Sequence, residues 1–325
     1  MTMSEVEYTF AVAHIRGLEG RLFSQATIDQ LMACRDYDAA LDFIIDKGWG
    51  GLDVERDADA ILAAERSKIW ETIRSLSVPM ETFDVLSYPN VFHNLKTAIK
   101  EVYTGQKNDD FFYEGTDPSR EELRDIVSRK DFLRLPGNMG AAAQDAFETI
   151  FHSNDGQLCD VIIDKACLEA IDKAGKESDS GAIQRYAETV VAVTDIKIAV
   201  RCQKTGKSIE FMRRALQPCG DVDVERLAKA AASGFEAILE YLSGGRFREA
   251  AEALRESPSA FERWCDNYLM EILRPEKYEV FSVGPLVAYV LARENEIKTV
   301  GIILSGKLNG LTDDSIRERI REMYV

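Results

Sequence analysis

The sequence lacks several features that mark common functional classes. Six cysteines, at positions 34, 159, 167, 202, 219 and 265, include no pair with CxxC spacing, the local pattern of zinc and redox sites. We expect them to be reduced, buried thiols. The longest stretch without charge, Val280 to Ala292, has thirteen residues, whereas roughly 20 apolar residues span a bilayer. We therefore expect no direct insertion into lipid.

Positive charge is also scarce. The 325 residues contain 40 Lys and Arg against 56 Asp and Glu, a formal net charge of −16. Nucleic acids and anionic membranes attract basic surfaces, so neither is an expected partner. We expect partners to be proteins or cationic surfaces. With 46% hydrophobic residues, a chain of this length can bury a substantial core.

No catalytic constellation is visible in the sequence. His14, His93 and His152 lie on different predicted helices and lack the HxxxH or HxxEH spacing of metal sites. A GxSxG nucleophile elbow is also missing. The chain is therefore predicted not to be an enzyme, with no catalytic residue, metal ligand or cofactor assigned.

Two segments resemble known chemical motifs superficially. Residues 201–208 end in GKS, as phosphate-binding loops do, but Arg201 replaces the first glycine and the segment follows a helical pattern. A helix end followed by a Ser208 N-cap is the interpretation we favour. Asp109 and Asp110 resemble the paired acids of helical isoprenoid synthases, although Tyr113 occupies the position of the second required acid. A metal-dependent enzyme of that type, or a generic helical scaffold, is the alternative hypothesis.

Helical periodicity runs through most of the chain. Apolar residues recur every three or four positions, as in Leu286, Tyr289, Val290, Ile297, Val300 and Leu304. Alternating β-branched runs are missing, so we predict an all-α fold. Capping boxes, in which two side chains satisfy helix-end amides reciprocally, are predicted at four places: Thr27 with Gln30, Ser119 with Glu122, Ser233 with Glu236, and Ser259 with Glu262.

A short motif repeats with a period of 101 residues: Asn94-Leu95-Lys96, Asp195-Ile196-Lys197 and Glu296-Ile297-Lys298. Each copy leads to a small hydroxyl residue and a glycine, a typical helix end: Thr104-Gly105, Thr205-Gly206 and Ser305-Gly306. The repeat predicts three similar helical units of about 100 residues, at 1–110, 111–210 and 211–325, whose ends can interleave. Three such units can close around a pseudo-threefold axis, as a ring or funnel, or stack in a row.

Three stretches resemble the C subunit of the V-type ATPases, whose family includes the eukaryotic d subunit. The most specific is the C-terminal region, with Gly284-Pro285-Leu286, Glu294-Asn295-Glu296-Ile297-Lys298 and Ile303-Leu304-Ser305-Gly306-Lys307-Leu308-Asn309-Gly310-Leu311. The others are Tyr8 to Leu22 and Pro89-Asn90-Val91-Phe92-His93-Asn94-Leu95-Lys96. Residues 105–160 match only in helical character.

The resemblance implies a funnel of three helical domains that sits on the membrane proteolipid ring and receives the central shaft of a rotary ATPase. It further implies a peripheral subunit on the cytoplasmic face of the membrane that transmits torque between ATP hydrolysis or synthesis and proton or sodium transport. As a hypothesis, Lys96, Lys197 and Lys298 contact the shaft or the ring electrostatically. The alternative is that they are solvated charges on helix faces.

Overall fold

A computed structural model describes residues 5–51 and 53–325, with side chains from residue 8 onward. All regular secondary structure in these residues is helical, and no strand occurs among them, which confirms the all-α prediction for the described part of the chain. No helix among the described residues is long and apolar enough to cross a membrane. The six cysteines are free thiols as expected, but Cys34 and Cys219 are only partly buried.

The chain folds as two compact units that each combine separate stretches of sequence. Unit 1 contains the chain up to Met80, Ser180–Ala182 and Leu242–Val325. Its α-helices are α1 (Glu5–Glu19), α2 (Gln25–Met32), α3 (Tyr37–Asp46), α4 (Ala58–Ser75), α13 (Arg248–Glu256), α14 (Pro258–Leu273), α15 (Gly284–Leu308) and α16 (Asp313–Arg317). A 3₁₀ turn, Arg274–Tyr278, follows α14.

Unit 2 contains Glu81–Asp179 and Ile183–Tyr241. Its helices are α5 (Asp84–Thr104), α6 (Arg120–Arg129), α7 (Met139–Ser153), α8 (Gly156–Glu177), α9 (Gly181–Lys204), α10 (Ile209–Ala215), α11 (Val224–Ser233) and α12 (Phe235–Ser243). The first two residues of α9 and the last two of α12 belong to unit 1. Helices α5, α7 and α8 pack against one another, and α6 packs on α5. The predicted division at 1–110, 111–210 and 211–325, and its funnel arrangement, stay a prediction.

Helix α15 forms the centre of unit 1. It contacts α1, α3, α4 and α14, and its buried residues lie on nearly all sides of the helix rather than on one stripe. A helix that is apolar all round belongs in a core, and Pro285 starts this one because the first helical turn needs no amide donor there. Four polar side chains are nevertheless buried on α15: Arg293, Asn295, Glu296 and Thr299.

The first residue of each repeated triplet is buried and accepts a hydrogen bond from a backbone amide outside its own helix. Asn94 Oδ1 accepts from the Tyr113 amide at 2.8 Å. Asp195 Oδ1 accepts from the Gln217 amide at 3.0 Å, and Glu296 Oε1 accepts from the Phe23 amide. Irregular backbone cannot satisfy its own amides, and a buried unpaired amide is costly. These three side chains therefore fix loops against the helices that carry them.

Arg293 links two such acceptors in unit 1. Its guanidinium donates to Glu296 and, at 2.5 Å, to Glu65 Oε2 on α4. Glu65 Oε1 in turn accepts from the Gly50 amide at 2.9 Å, while Trp49 lies with its ring 5.3 Å from the guanidinium carbon. Burial raises the pKa of Glu296, and Arg293 and the Phe23 amide act against this rise. A buried charge set of this kind holds together only while every member is paired.

One of the four predicted capping boxes is confirmed. Ser119 accepts from the Glu122 amide, and the Glu122 side chain accepts from the Ser119 amide. The prediction at Thr27 was wrong, because α2 begins earlier and Ser24 is its cap. The remaining two also fail for local reasons.

Ser233 is the last residue of α11 and donates its hydroxyl to the Lys229 carbonyl at 2.9 Å. Ser259 lies inside α14, since Ser257 caps that helix immediately before Pro258. In both places the helix boundary lies at a neighbouring residue: Gly234 follows the end of α11, and Ser257 precedes Pro258 at the start of α14. Glycine favours a helix end, and proline favours the first helical turn.

Two of the three predicted helix-ending glycines are confirmed. Gly105 directly follows α5 with a φ angle of 70°, and Gly206 lies two residues after the end of α9 with a φ angle of 65°. The third prediction was wrong: Gly306 is inside α15, and the positive φ falls on Gly310. A Cβ on Gly306 would lie 2.6 Å from Cγ1 of Ile316 on α16. Gly306 therefore allows α16 to approach α15 closely.

Replacing Gly306 with alanine is expected to destabilise the protein by about 1–3 kcal/mol, because the added methyl group forces Ile316 away from α15. The matched control is Gly17→Ala on α1, where no atom lies within 4 Å of the new methyl group. That change is expected to stabilise by about 0.5–1 kcal/mol through lower backbone entropy in the unfolded chain. Denaturant unfolding followed by circular dichroism measures both. Equal effects would contradict the close approach.

Candidate partner-contact residues

The three lysines that the sequence nominated lie at corresponding places on long helices: Lys96 on α5, Lys197 on α9 and Lys298 on α15. Lys96 and Lys197 are partly buried, whereas Lys298 is exposed. Lys96 and Lys197 belong to unit 2 and Lys298 to unit 1.

Lys96 forms an ion pair across two helices. Its Nζ donates to Oδ1 of Asp164 on α8 at 2.7 Å. One turn further along the same two helices, Lys100 lies 2.6 Å from Oδ1 of Asp160. The Lys96 side chain retains only 19% exposure. The Lys96 ammonium group is therefore paired with a carboxylate of α8, and only a small part of the side chain is exposed to solvent.

Lys298 forms a corresponding pair in unit 1. It donates to Oδ2 of Asp266 on α14, and the same oxygen accepts from Arg321 at 2.7 Å. Burial raises the pKa of Asp266, but the two cations outweigh burial and hold this pKa below its ordinary value of 3.8. The Arg321 side chain is only 7% exposed. Asp266 thus neutralises one nearly buried cation and one exposed cation.

Asp164 and Asp266 were not predicted as the ion-pair partners of these lysines, because they lie 68 and 32 residues away from them in the sequence. A weak signal was present. It was the repeated position of each lysine. Pairing between helices cannot be assigned from spacing within either one.

The two chemical motifs have ordinary structural roles. Helix α9 ends at Lys204, Gly206 follows in the left-handed conformation, and Ser208 accepts from the Phe211 amide to cap α10. This confirms the interpretation of residues 201–208 as a helix end and a cap. Asp109 pairs with Arg124 at 2.6 Å, and Arg124 also binds Glu101 at 2.7 Å. Among the described residues no group of three or more His, Cys, Asp or Glu is placed to hold a metal ion.

A groove of about 500 Å³ lies between α13, α14 and the C-terminal segment of unit 1. Its walls carry Glu249, Glu252, Glu256, Glu271 and Glu322, together with Arg263 and Arg274. The rings of Trp264 and Tyr268 also line it, stacked with their centroids 4.9 Å apart. The groove is therefore acidic, with aromatic faces partly open to solvent.

An exposed apolar loop precedes α15. Tyr278, Val280 and Phe281 are 83%, 47% and 54% exposed. The start of this loop is held to α1, because Arg16 donates at 3.0 Å to the carbonyl oxygens of Glu276 and Glu279. Clustered exposed apolar side chains commonly mark interaction sites. These exposed aromatic residues are not among the residues for which the sequence predicted a partner contact.

Comparison with known proteins places this helical chain in a family. The model of the family described as ATP synthase (C/AC39) subunit matches residues 11–319. The C subunit of a V-type sodium ATPase from Enterococcus hirae is 23% identical over 317 residues, covering 95% of this chain and 97% of that protein. The C subunit of an A-type ATP synthase from Methanocaldococcus jannaschii is 24% identical over 362 residues, covering 98% of this chain and 87% of that protein.

The described residues form an all-helical fold. The chain belongs to the ATP synthase (C/AC39) subunit family. It is therefore a subunit of an ATPase complex and has partners within that complex. The resemblance found in the C-terminal region, in Tyr8 to Leu22 and in Pro89 to Lys96 is confirmed, because the family match includes most of these residues.

Asp266→Asn is expected to destabilise the isolated chain by about 1–3 kcal/mol, because it leaves the nearly buried Arg321 without a charged partner. Asp164→Asn should cost less than about 1 kcal/mol, since that carboxylate is half exposed. Chemical denaturation measures both variants. The pH sign follows from the lowered pKa of Asp266: its stabilisation is present above 3.8 and is lost as pH falls below that value. An equal cost at both sites would contradict this ranking.

Proposed function

We propose that this protein is a non-catalytic coupling subunit in the central stalk of a rotary ATPase. In this role it links the rotating shaft of the soluble head to the membrane proteolipid ring, as a peripheral subunit on the cytoplasmic face. The observation that carries the proposal is the family match across residues 11–319. It is supported by relatives named as C subunits that are covered over 97% and 87% of their lengths.

The repeated acceptors support the three-unit arrangement. Asn94, Asp195 and Glu296 occur with a period of 101 residues, and each is buried and accepts from a backbone amide outside its helix. Independent helices rarely share both a sequence position and a hydrogen-bonding role. We therefore propose that three related helical units arose by triplication and surround a pseudo-threefold axis.

Torque transmission requires a joint that resists deformation. Loops tied by buried side chains move less easily than loops held only at the surface, because opening them leaves polar groups unpaired in a low-dielectric interior. In unit 1, Glu65 and Glu296 hold the Gly50 and Phe23 amides, and Arg293 joins the two carboxylates. This construction suits a subunit that carries mechanical load between two partners.

Two surfaces are proposed as contacts with neighbouring subunits. The first is the apolar loop with Tyr278, Val280 and Phe281, because protein interfaces favour exposed aromatic residues anchored on a rigid base. The second set of proposed contacts is made by Lys96, Lys197 and Lys298, each in its own unit, which contact the shaft or the ring electrostatically. Since Lys96 and Lys298 already bind aspartates, their contribution is to orientation rather than to bulk affinity.

Purification from native membranes tests the coupling role. The tagged chain should recover shaft and proteolipid subunits together after mild detergent extraction, and the purified chain alone should show no magnesium-dependent turnover of allylic diphosphates. Mass spectrometry identifies the partners. If neither partner is recovered from extracts that contain an intact rotary ATPase, the proposal is wrong. The metal-dependent enzyme or the helical scaffold would then be the favoured hypothesis.

A charge swap tests the lysine contact without breaking the internal ion pair. In the wild type Lys96 and Asp164 are paired at 2.7 Å across α5 and α8. The double variant Lys96→Glu with Asp164→Lys keeps opposite charges at these two positions but reverses the charge at position 96. It should fold with wild-type stability, within about 1 kcal/mol, and recover several-fold less of the shaft or ring. The matched control is Lys100→Glu with Asp160→Lys, one turn along the same helices. Equal recovery by wild type and both variants would contradict a role for Lys96.

A further inference from the structure

Asp195 is a buried carboxyl group with an incomplete set of hydrogen bonds. The residue is 0% exposed. Oδ1 accepts from the Gln217 amide at 3.0 Å, but Oδ2 has no hydrogen-bond partner among the described residues. Burying an ionised oxygen without a donor is strongly unfavourable, and such groups usually become neutral instead. Asp195 therefore differs from the paired carboxylates elsewhere in the chain.

The nearest cation in unit 2 does not satisfy Oδ2. Lys165 on α8 donates to the carbonyl oxygen of Leu216 and, at 2.8 Å, to Oε1 of Gln217. The other charged or titratable groups of unit 2 around Asp195 and Lys165 are Glu169, Asp172 and the Cys219 thiol. Asp172 accepts from Gln217 Nε2 at 3.1 Å. Three carboxyl groups, those of Glu169, Asp172 and Asp195, thus surround the single ammonium group of Lys165.

Asn94 occupies the equivalent position 101 residues earlier and completes the same arrangement. It is also 0% exposed. Its Oδ1 accepts from the Tyr113 amide at 2.8 Å, while its Nδ2 donates to the Tyr113 carbonyl at 2.8 Å and to Thr116 Oγ1 at 2.9 Å. A carboxamide has a donor on its second side, and an ionised carboxylate has none. A protonated carboxylic acid restores one donor.

We propose that Asp195 is a neutral carboxylic acid in the folded chain and that its Oδ2–H is a donor as Asn94 Nδ2 is. In this state it holds residues 216–222, which form most of the connection between α10 and α11, against α9. Deprotonation removes the donor and leaves an ionised oxygen in the interior with no hydrogen-bond donor among the described residues. The connection is therefore a strap that loosens when the proton leaves.

The pKa of Asp195 is shifted in the direction that its burial requires. Burial raises its pKa to about 7, and the Gln217 amide and Lys165 only partly oppose the rise. Because the folded form keeps a proton that the unfolded chain releases above 3.8, the sign is the reverse of a salt-bridged aspartate. The stability contributed by Asp195 is complete below the ordinary value, decreases as pH rises to about 7, and is constant above it.

The first test compares the full-length wild type with Asp195→Asn. The carboxamide supplies the donor at every pH, so the variant should be at least as stable as the wild type above about pH 7. Its advantage should shrink on acidification. The ratio of the two unfolding constants should change by up to about tenfold per pH unit between about pH 5 and about pH 7, then level off. Denaturant titrations followed by circular dichroism give these constants.

The reciprocal variant keeps the test decisive even where Asp195→Asn folds poorly. Asn94→Asp should match the wild type in acid and lose stability as pH rises, because an ionised carboxylate cannot donate to the Tyr113 carbonyl. Hydrogen exchange reports on the strap directly. After correction for intrinsic rates, the backbone amides of residues 216–222, except Pro218, which has no amide hydrogen, should lose protection above about pH 7 in the wild type but not in Asp195→Asn.

Two results would overturn the proposal. One is an Asp195→Asn protein that folds but is less stable than the wild type throughout the pH range, which would mean that an ionised Asp195 is required beside Lys165. The other is an infrared difference spectrum, wild type minus Asp195→Asn at about pH 5, without the carbonyl band of a protonated carboxylic acid. The expected band is present there and absent at about pH 9.

Discussion

Three long helices of this structure hold neighbouring loops through buried side-chain oxygens that accept hydrogen bonds from the loop backbone. Helices satisfy their own amides, but the connections between them cannot. Asn94, Asp195 and Glu296 supply acceptors from inside long helices, and each fixes a segment that has no regular structure of its own. Because a buried polar group is stable only when paired, helix and loop constrain each other. The path of the chain between helices is thus determined from within the core.

The helical architecture was predictable because helix signals are local. Periodicity, glycine at helix ends and the Ser119 capping box act over a few residues. They predicted α5, α6 and α9 without any information on tertiary contacts. Gly306 shows where this approach fails. Its neighbours suggested a helix end, but the close approach of Ile316 requires a glycine within the helix. Two different physical needs select the same residue type, and only the packing distinguishes them.

The candidate contacts were predictable only in part. The 101-residue repeat nominated three lysines and, with them, the polar residues two positions earlier. It could not indicate that Lys96 and Lys298 bind Asp164 and Asp266, because those partners come from other helices. Nor could it separate the neutral acceptor Asn94 from the ionisable Asp195, whose state depends on burial and on the absence of a donor for Oδ2 among the described residues. Charge state is a property of the packed environment, not of the motif.

The pairing of Trp49 with Arg293 has an optical consequence. All three tryptophans, Trp49, Trp70 and Trp264, belong to unit 1, and unit 2 contains none. Indole emission therefore reports the environment of unit 1 alone, and the guanidinium beside Trp49 makes one of the three fluorophores sensitive to the integrity of the buried charge set. Far-ultraviolet dichroism, in contrast, registers the helices of both units. Comparing the two signals along one denaturation curve would reveal whether the units melt as a single cooperative system or in separate steps.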